Sequence, residues 1–267
     1  MRPQRPSRES GHAGTQDDRA LNIERNREYD PFAAIYNRYW GEEYRAGVLP
    51  VVERLLLSRI PRNASVLDVC CGTGQFTRVV RERGFEMAGL DASGAMIAFA
   101  KRNAPVIPFT VADVRDFSLG RRFDGAYSVF ESLNHVPDIR GLALAFACVR
   151  RHLEPGSPFL FDLNREEAFL QFWNDRDAIV SPDNACIMIS RYDESTRVGT
   201  CDITVFDLDN GPWRRTDFTV RQTCHPIAAV SSALSGAGFS DITLYDAADA
   251  GMMGDIGYAR TFFLAIA

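Results

Sequence analysis

The sequence predicts an α/β fold: a parallel sheet with helices on both faces, carrying an antiparallel β insertion after its fifth strand. Three observations support this. Short apolar runs alternate with amphipathic segments through the first two thirds of the chain, the pattern of strand–helix–strand units. One such run, "VLDVCCGTGQF" (66–76), passes from an apolar strand through an acid into Gly-Thr-Gly, a tight turn into a helix. Between residues 183 and 224 the pattern changes to strands separated by turn-rich segments such as "DNGP".

The elements follow in order. "EYDPFAAIYNRYWGEEY" (28–44) and "LPVVERLLLSRI" (49–60) read as two helices, the second with apolar residues at helical spacing. "SVLDVC" (65–70) is a buried strand, with a helix from about Gln75. "FEMAGLD" (85–91) is a second strand, and "SGAMIAFAKRNA" (93–104) a helix capped by Ser93. "VIPFTVAD" (106–113) and "FDGAYSVF" (123–130) are the third and fourth strands. "RGLALAFACVRRHL" (140–153) is a helix ended by Pro-Gly, and "SPFLFDLN" (157–164) the fifth strand. Three strands then cover 185–194, 199–209 and 213–224, and antiparallel neighbours suit their short connections. A helix over 227–239 and strands over 240–247 and 259–267 close the domain. The organisation expected is a disordered tail over 1–28 and one domain over 29–267.

Composition narrows the function. At 267 residues and 46 % hydrophobic, the chain can bury a substantial core. Its net charge of −5 argues against a nucleic-acid partner, which wants a basic face. No apolar run approaches the roughly 18 residues that span a bilayer, and the basic, Ser-rich start lacks an apolar signal core. Six cysteines at 70, 71, 148, 186, 201 and 224 form no Cys-x-x-Cys pair and no zinc-spaced cluster, so no metal is expected. Reduced thiols in a cytoplasm are the expectation.

The chemistry collects at the ends of three successive strands. Ligands of open parallel sheets bind outside the carboxyl ends of the strands. Gly72 and Gly74 allow a tight turn and a close backbone approach, and the next helix offers free N–H groups. Asp68, inside the strand before the turn, would repel a pyrophosphate and suits a cationic ligand. A dinucleotide site also wants a third glycine, which Gly72-Thr73-Gly74-Gln75-Phe76-Thr77 lacks. Asp91 ends the second strand and can accept hydrogen bonds from ribose hydroxyls. Asp113 ends the third and can accept from the exocyclic amine of an adenine, with the N–H of Val114 donating to the ring. Met96 and Val114 can sandwich that base. Each Asp alone is as well read as a cap or turn residue; the three together point to a nucleoside.

These motifs resemble the class I S-adenosylmethionine-dependent methyltransferases. "VLDVCCGTGQF" matches that family's first motif, with Cys70 where a glycine often stands, and "GLDASGAMIAFAK" and "VADVRDF" match its second- and third-strand segments. The resemblance covers roughly residues 29–267. It implies a Rossmann-like seven-stranded sheet with an antiparallel last strand, and S-adenosyl-L-methionine as cofactor. It implies that Gly72 and Gly74 face the methionine part, whose ammonium lies near Asp68. Cys70 and Cys71 are then small turn residues with a carbonyl toward the ligand, and Ala92 and Phe130 border the cofactor.

The loop after the fourth strand, "SVFESLNHV" (128–136), lacks the Asn/Asp-Pro-Pro-Tyr of enzymes that methylate amide or exocyclic nitrogens. It is similar to small-molecule methyltransferases of the amino-sugar N,N-dimethyltransferase type. That implies an acceptor site at Glu131, Asn134 and His135, with His135 orienting substrate or taking a proton. It implies an N-terminal helical lid over 29–62, whose Tyr36 reaches cofactor or substrate and whose Trp40 reaches the cofactor carboxylate. The insertion would roof the site or form a homodimer face, with Arg214, Arg215 and Arg221 on a solvated strand face and His225 structural. An amine acceptor needs only a free lone pair, whereas a hydroxyl wants a general base. N-methylation of a small molecule is therefore favoured over O-methylation, a non-catalytic cofactor-binding domain, or a nicotinamide-dependent dehydrogenase.

Overall fold

The computed structural model describes residues 29–208, 211–252 and 254–267; the expected tail over 1–28 lies outside them. After a short 3-10 turn, α1 runs over Ala33–Leu55, then β1 Ser65–Val69, α2 Gln75–Glu82, β2 Glu86–Asp91 and α3 Gly94–Asn103. Next come β3 Phe109–Val111, β4 Gly125–Ser128, α4 Ile139–Arg151, β5 Pro158–Asn164 and α5 Glu166–Phe172. The second half holds β6 Arg176–Val180, β7 Asn184–Asp193, β8 Val198–Asp207, β9 Arg214–Thr223, α6 Ile227–Gly236, β10 Ser240–Asp246 and β11 Arg260–Ile266.

Seven strands form one sheet in the order β10-β11-β5-β4-β1-β2-β3. The last strand in the chain, β11, runs antiparallel between β5 and β10; the pairings from β5 across to β3 are parallel. The parallel strands carry almost unbroken buried runs because helices cover both faces. One face packs Val51, Val52 and Leu55 of α1, Val80 of α2 and Ile97 of α3. The other packs Leu142, Phe146 and Val149 of α4 and Val230 and Leu234 of α6. Among the described residues no helix is long and apolar enough to cross a membrane.

The structure corrects four local expectations. The two N-terminal helices are one, running through Pro50. Proline inside a helix costs about 3 kcal/mol, and burial of Val48, Val51, Val52 and Leu55 against the sheet offsets it. The third and fourth strands are shorter than expected, since pairing partners exist only over 109–111 and 125–128. The antiparallel sheet has four strands, β6-β7-β8-β9, and begins at Arg176 rather than 183. Its extra strand, "RDAIV", is a mostly exposed edge with little hydrophobic signal.

The second sheet turns one face inward. Directly paired residues share a face and alternate along a strand. Met188, Ile203 and Phe218 are mutually in register, as are Ser190, Cys201 and Val220. These pack with Ile35, Phe32 and Trp40 from the start of the domain. The N-terminal segment thus bridges the sheets: Asp30 Oδ1 accepts from the Ser93 hydroxyl, and Tyr39 hydrogen-bonds Ser181 and Asn184.

Candidate active site

The turn after β1 is shaped by three left-handed residues. Cys70, Gly72 and Gly74 have φ of 61°, 52° and 73°. Cys70 adopts there a conformation that a glycine takes without strain. The two glycines serve different ends. A Cβ on Gly74 would lie 2.8 Å from the Ala100 Cβ and 3.0 Å from Phe109, so its hydrogen is required by helix packing. A Cβ on Gly72 would meet only the Tyr36 ring, at 3.5 Å. Gly72 N–H donates to Asp91 Oδ2 and Ser93 N–H to Asp91 Oδ1, each at 2.9 Å, so the acid at the end of β2 pins the turn after β1. Burial pushes both the Cys70 and Cys71 thiols well above their ordinary range, so neither is a ready nucleophile.

A cavity of about 940 Å³ opens at these strand ends, beneath the inward face of the second sheet. Cys70, Gly72, Asp91 and Ala92 line its floor. Met96, Asp113 and Val114 line it on the β2 and β3 side and Phe130 on the β4 side, and Tyr36 and Trp40 line it from α1. These ten residues, all expected from the sequence, line one cavity. Asp113 is not a bare carboxylate there, because the Arg115 guanidinium forks onto both its oxygens.

Asp68, Cys71 and Gly74 lie behind this floor, around a pocket of about 30 Å³ that shares Tyr36, Cys70 and Phe130 with the main cavity. Asp68 Oδ2 accepts from the Thr77 hydroxyl at 2.6 Å and the Tyr127 hydroxyl at 2.9 Å. Burial outweighs those bonds and pushes its carboxyl up to about 7. Asn134, expected at the acceptor site, is absent from the cavity wall. It is fully buried, donates to the Thr223 carbonyl and accepts from Asn164 N–H, bracing the loop after β4 against β5 and β9.

His135 and Glu131 do line the cavity, each inside a network that no sequence spacing announces. His135 Nδ1 lies 2.7 Å from the Arg221 carbonyl. A carbonyl cannot donate, so Nδ1 carries the proton and Nε2 accepts. Nε2 takes the Tyr29 hydroxyl at 2.6 Å and the Gln222 amide N–H at 3.0 Å. Burial holds the imidazolium pKa down at about 4, so the ring is neutral at ordinary pH. Gln222 Oε1 is buried and has no hydrogen-bond partner among the described residues.

Glu131 sits in a left-handed conformation at φ 45° and shares the buried Arg260 guanidinium with Asp162. Burial raises both carboxyl pKa values, and Arg260 opposes the rise. Tyr29, Gln222, Asp162 and Arg260 are the residues the sequence did not single out. Tyr29 and His135 are 106 positions apart, and nothing local marks the pair. His225, expected to be structural, is buried with Nε2 2.9 Å from the Val136 carbonyl.

The chain is similar to known proteins in sequence and in fold. Residues 66–156 match the methyltransferase domain family. The chain is 31% identical over 175 residues to a dTDP-3-amino-3,4,6-trideoxy-alpha-D-glucopyranose N,N-dimethyltransferase of Streptomyces venezuelae, covering 62% of this chain and 70% of that protein. It is 34% identical over 128 residues to a dTDP-4-amino-2,3,4,6-tetradeoxy-D-glucose N,N-dimethyltransferase of Saccharopolyspora spinosa, 48% of this chain and 49% of that one. The solved structure of a sugar N-methyltransferase from Streptoalloteichus sp. superposes with a TM-score of 0.73 at 25% identity, over 100% of this chain and 98% of the other.

Proposed function

The chain belongs to the class I S-adenosylmethionine-dependent methyltransferases, and from that premise we propose that its methyl acceptor is the nitrogen of a small-molecule amine. The observation that carries this is the state of His135. Its one basic nitrogen already accepts from Tyr29 and Gln222. A hydroxyl acceptor would need that lone pair as its general base; an amine brings its own.

The cofactor is S-adenosylmethionine, and the residues present fit it. Each Asp91 oxygen takes one backbone N–H, which leaves lone pairs for ribose hydroxyls. Gly72 leaves the floor open below the Tyr36 ring. Met96 and Val114 offer buried apolar contact to a base, and Asp113 keeps acceptor capacity beside its Arg115 fork. When bound, the cofactor supplies a methyl group already activated on a sulfonium.

The chain's own residues then position the partner. The inward face of the second sheet and Tyr36 and Trp40 of α1 border the cavity from above. Tyr29, fixed by His135, sets one edge of the acceptor space, and Glu131 sets another. Holding a nucleophile in line with an activated methyl group is most of the catalysis this reaction needs. The same reading has a small-molecule acceptor rather than a nucleic acid, and a reducing cytoplasm, in which the six unpaired thiols persist. A homodimer through the outer face of the second sheet belongs to it as well, and static light scattering tests that.

The test of the amine reading is product analysis. The chain is incubated with S-adenosylmethionine and matched pairs of small molecules differing only in an amine or a hydroxyl. The expected product is the N-methyl compound; a methyl ether from the hydroxyl member would overturn the proposal.

A further inference from the structure

The side chains that border the cavity include more carboxylates than cations. The carboxylates of Asp91, Glu131, Asp175, Asp177 and Asp255 border it besides the paired Asp113. Three arginines border it too: Arg115 is engaged by a carboxylate, and Arg176 and Arg221 hold outer-face positions on their strands. Arg115 is forked onto Asp113. Arg221 follows the buried, inward Val220 and precedes the buried, inward Gln222, so alternation sends its side chain outward; its charge acts on Asp202. Its backbone carbonyl is what enters the site, on His135. Arg176 pairs with Ile189, whose neighbour Met188 is the inward residue, so Arg176 too is at an outer-face position. Asp177 pairs with Met188 and takes the inward one.

The hydrogen-bonding groups have the same bias. One buried oxygen of a cavity-lining side chain, Gln222 Oε1, lacks a hydrogen-bond partner among the described residues, while Glu131 Oε2 is held by Arg260. Both are acceptors. Several donors nearby are engaged: the Tyr29 hydroxyl on His135 and the Ser132 hydroxyl on the Val129 carbonyl. Glu131 and Asp162 together share the one Arg260 guanidinium, two carboxyl groups to one cation beside the acceptor space. A buried acceptor left unmatched costs free energy that a ligand N–H or O–H recovers. An ionised phosphate presents acceptors and negative charge only, and it cannot match the Gln222 oxygen.

We infer that the acceptor is a phosphate-free, donor-rich amine, held as its ammonium form by Glu131 and by the Gln222 amide oxygen, rather than a nucleoside-diphosphate-linked amine. This rests on the amine reading above and departs from the named substrates of the two Streptomyces and Saccharopolyspora relatives, both of which carry dTDP. The ammonium loses one proton to solvent before its lone pair meets the methyl group. In the balanced transfer, the C–S bond breaks, the N–C bond forms, and the sulfur keeps the electron pair.

The experiment has two independent arms on the full chain loaded with S-adenosylhomocysteine or S-adenosylmethionine. In the first, thymidine diphosphate is titrated calorimetrically; the expected result is no binding at millimolar concentration, and micromolar binding would overturn the inference whatever the acceptor. In the second, methyl kanosaminide, a free amino sugar, is assayed against its thymidine-diphosphate-linked counterpart. The free sugar is expected to be methylated with the higher kcat/KM, and Glu131→Gln to raise its KM about tenfold while cofactor affinity holds, the loss of one charge-assisted bond. Preference for the linked sugar would overturn this inference and leave the amine reading standing. Turnover of neither, with normal cofactor binding, would overturn the amine reading, and the first arm would still judge the charge argument.

Discussion

The Tyr29 hydroxyl stands 2.6 Å from Nε2 of His135, across 106 positions of chain. With Nδ1–H given to the Arg221 carbonyl, the ring is fixed in one tautomer and in one orientation. Burial holds its pKa down at about 4, so it stays neutral at every pH above that. The rate should therefore show no inflection at the ordinary imidazole value near ~6.5; any rise with pH reports the acceptor amine losing its proton. Tyr29→Phe should lower kcat about tenfold, the scale of one buried hydrogen bond, with cofactor affinity unchanged. Steady-state kinetics from acid to mildly alkaline pH, beside calorimetry, check both; an unchanged kcat would remove Tyr29 from the site.

Asp91 ties two strand ends together through the N–H groups of Gly72 and Ser93. Removing the carboxylate frees the turn and deletes the proposed ribose acceptor at once. Asp91→Ala should weaken S-adenosylmethionine binding at least 100-fold, roughly two charge-assisted hydrogen bonds. Asp91→Asn should fall between, since one oxygen still accepts. Wild-type affinity in Asp91→Ala would refute the assignment of the cofactor end of the cavity.

Much of this was legible in the sequence, and the part that was not has a physical reason. Strands such as Val66–Val69 are buried on both faces, so they read as apolar runs. Asp68 lies near the end of such a run and Asp91 and Asp113 at or just after the ends of two more, and their repetition marks one edge of the sheet. By contrast, β6 is an exposed edge with no hydrophobic imprint. The α1 helix continues through Pro50 because tertiary burial overrides local propensity. Tyr29, Gln222 and Arg260 act through partners 87 to 106 positions away, and only the folded sheets bring these together. Asn134 shows the opposite failure: a polar residue in the right loop whose groups the backbone takes up.

The two glycines of the turn should separate on substitution. Gly74→Ala puts a Cβ 2.8 Å from Ala100 in a left-handed conformation, so overpacking and backbone strain add. About 3 kcal/mol of stability should be lost, read in a denaturant titration. Gly72→Ala has room at 3.5 Å and only the backbone strain, about 1–2 kcal/mol. Its larger effect should be on cofactor affinity, because the new methyl group stands over the cavity floor. Equal stability losses in the two variants would sink this division of labour.

Asp68 makes cofactor binding depend on pH in a stated direction. In the folded chain burial raises its carboxyl to about 7, against the pull of Thr77 and Tyr127. A cationic ammonium at the adjoining pocket favours the carboxylate and lowers that pKa. Below about pH 7 binding must therefore expel a proton, and each pH unit further down weakens affinity by up to about tenfold. Above it the carboxylate is already formed and affinity is flat. Calorimetric titration with S-adenosylmethionine across this range, in two buffers of different ionisation enthalpy, measures the affinity and the proton released together. Asp68→Asn should abolish the proton release and flatten the acid limb, while its buried site keeps the Thr77 and Tyr127 donors. A wild-type profile with no proton release below pH 7, or an acid limb that survives Asp68→Asn, would place the ammonium elsewhere in the cavity.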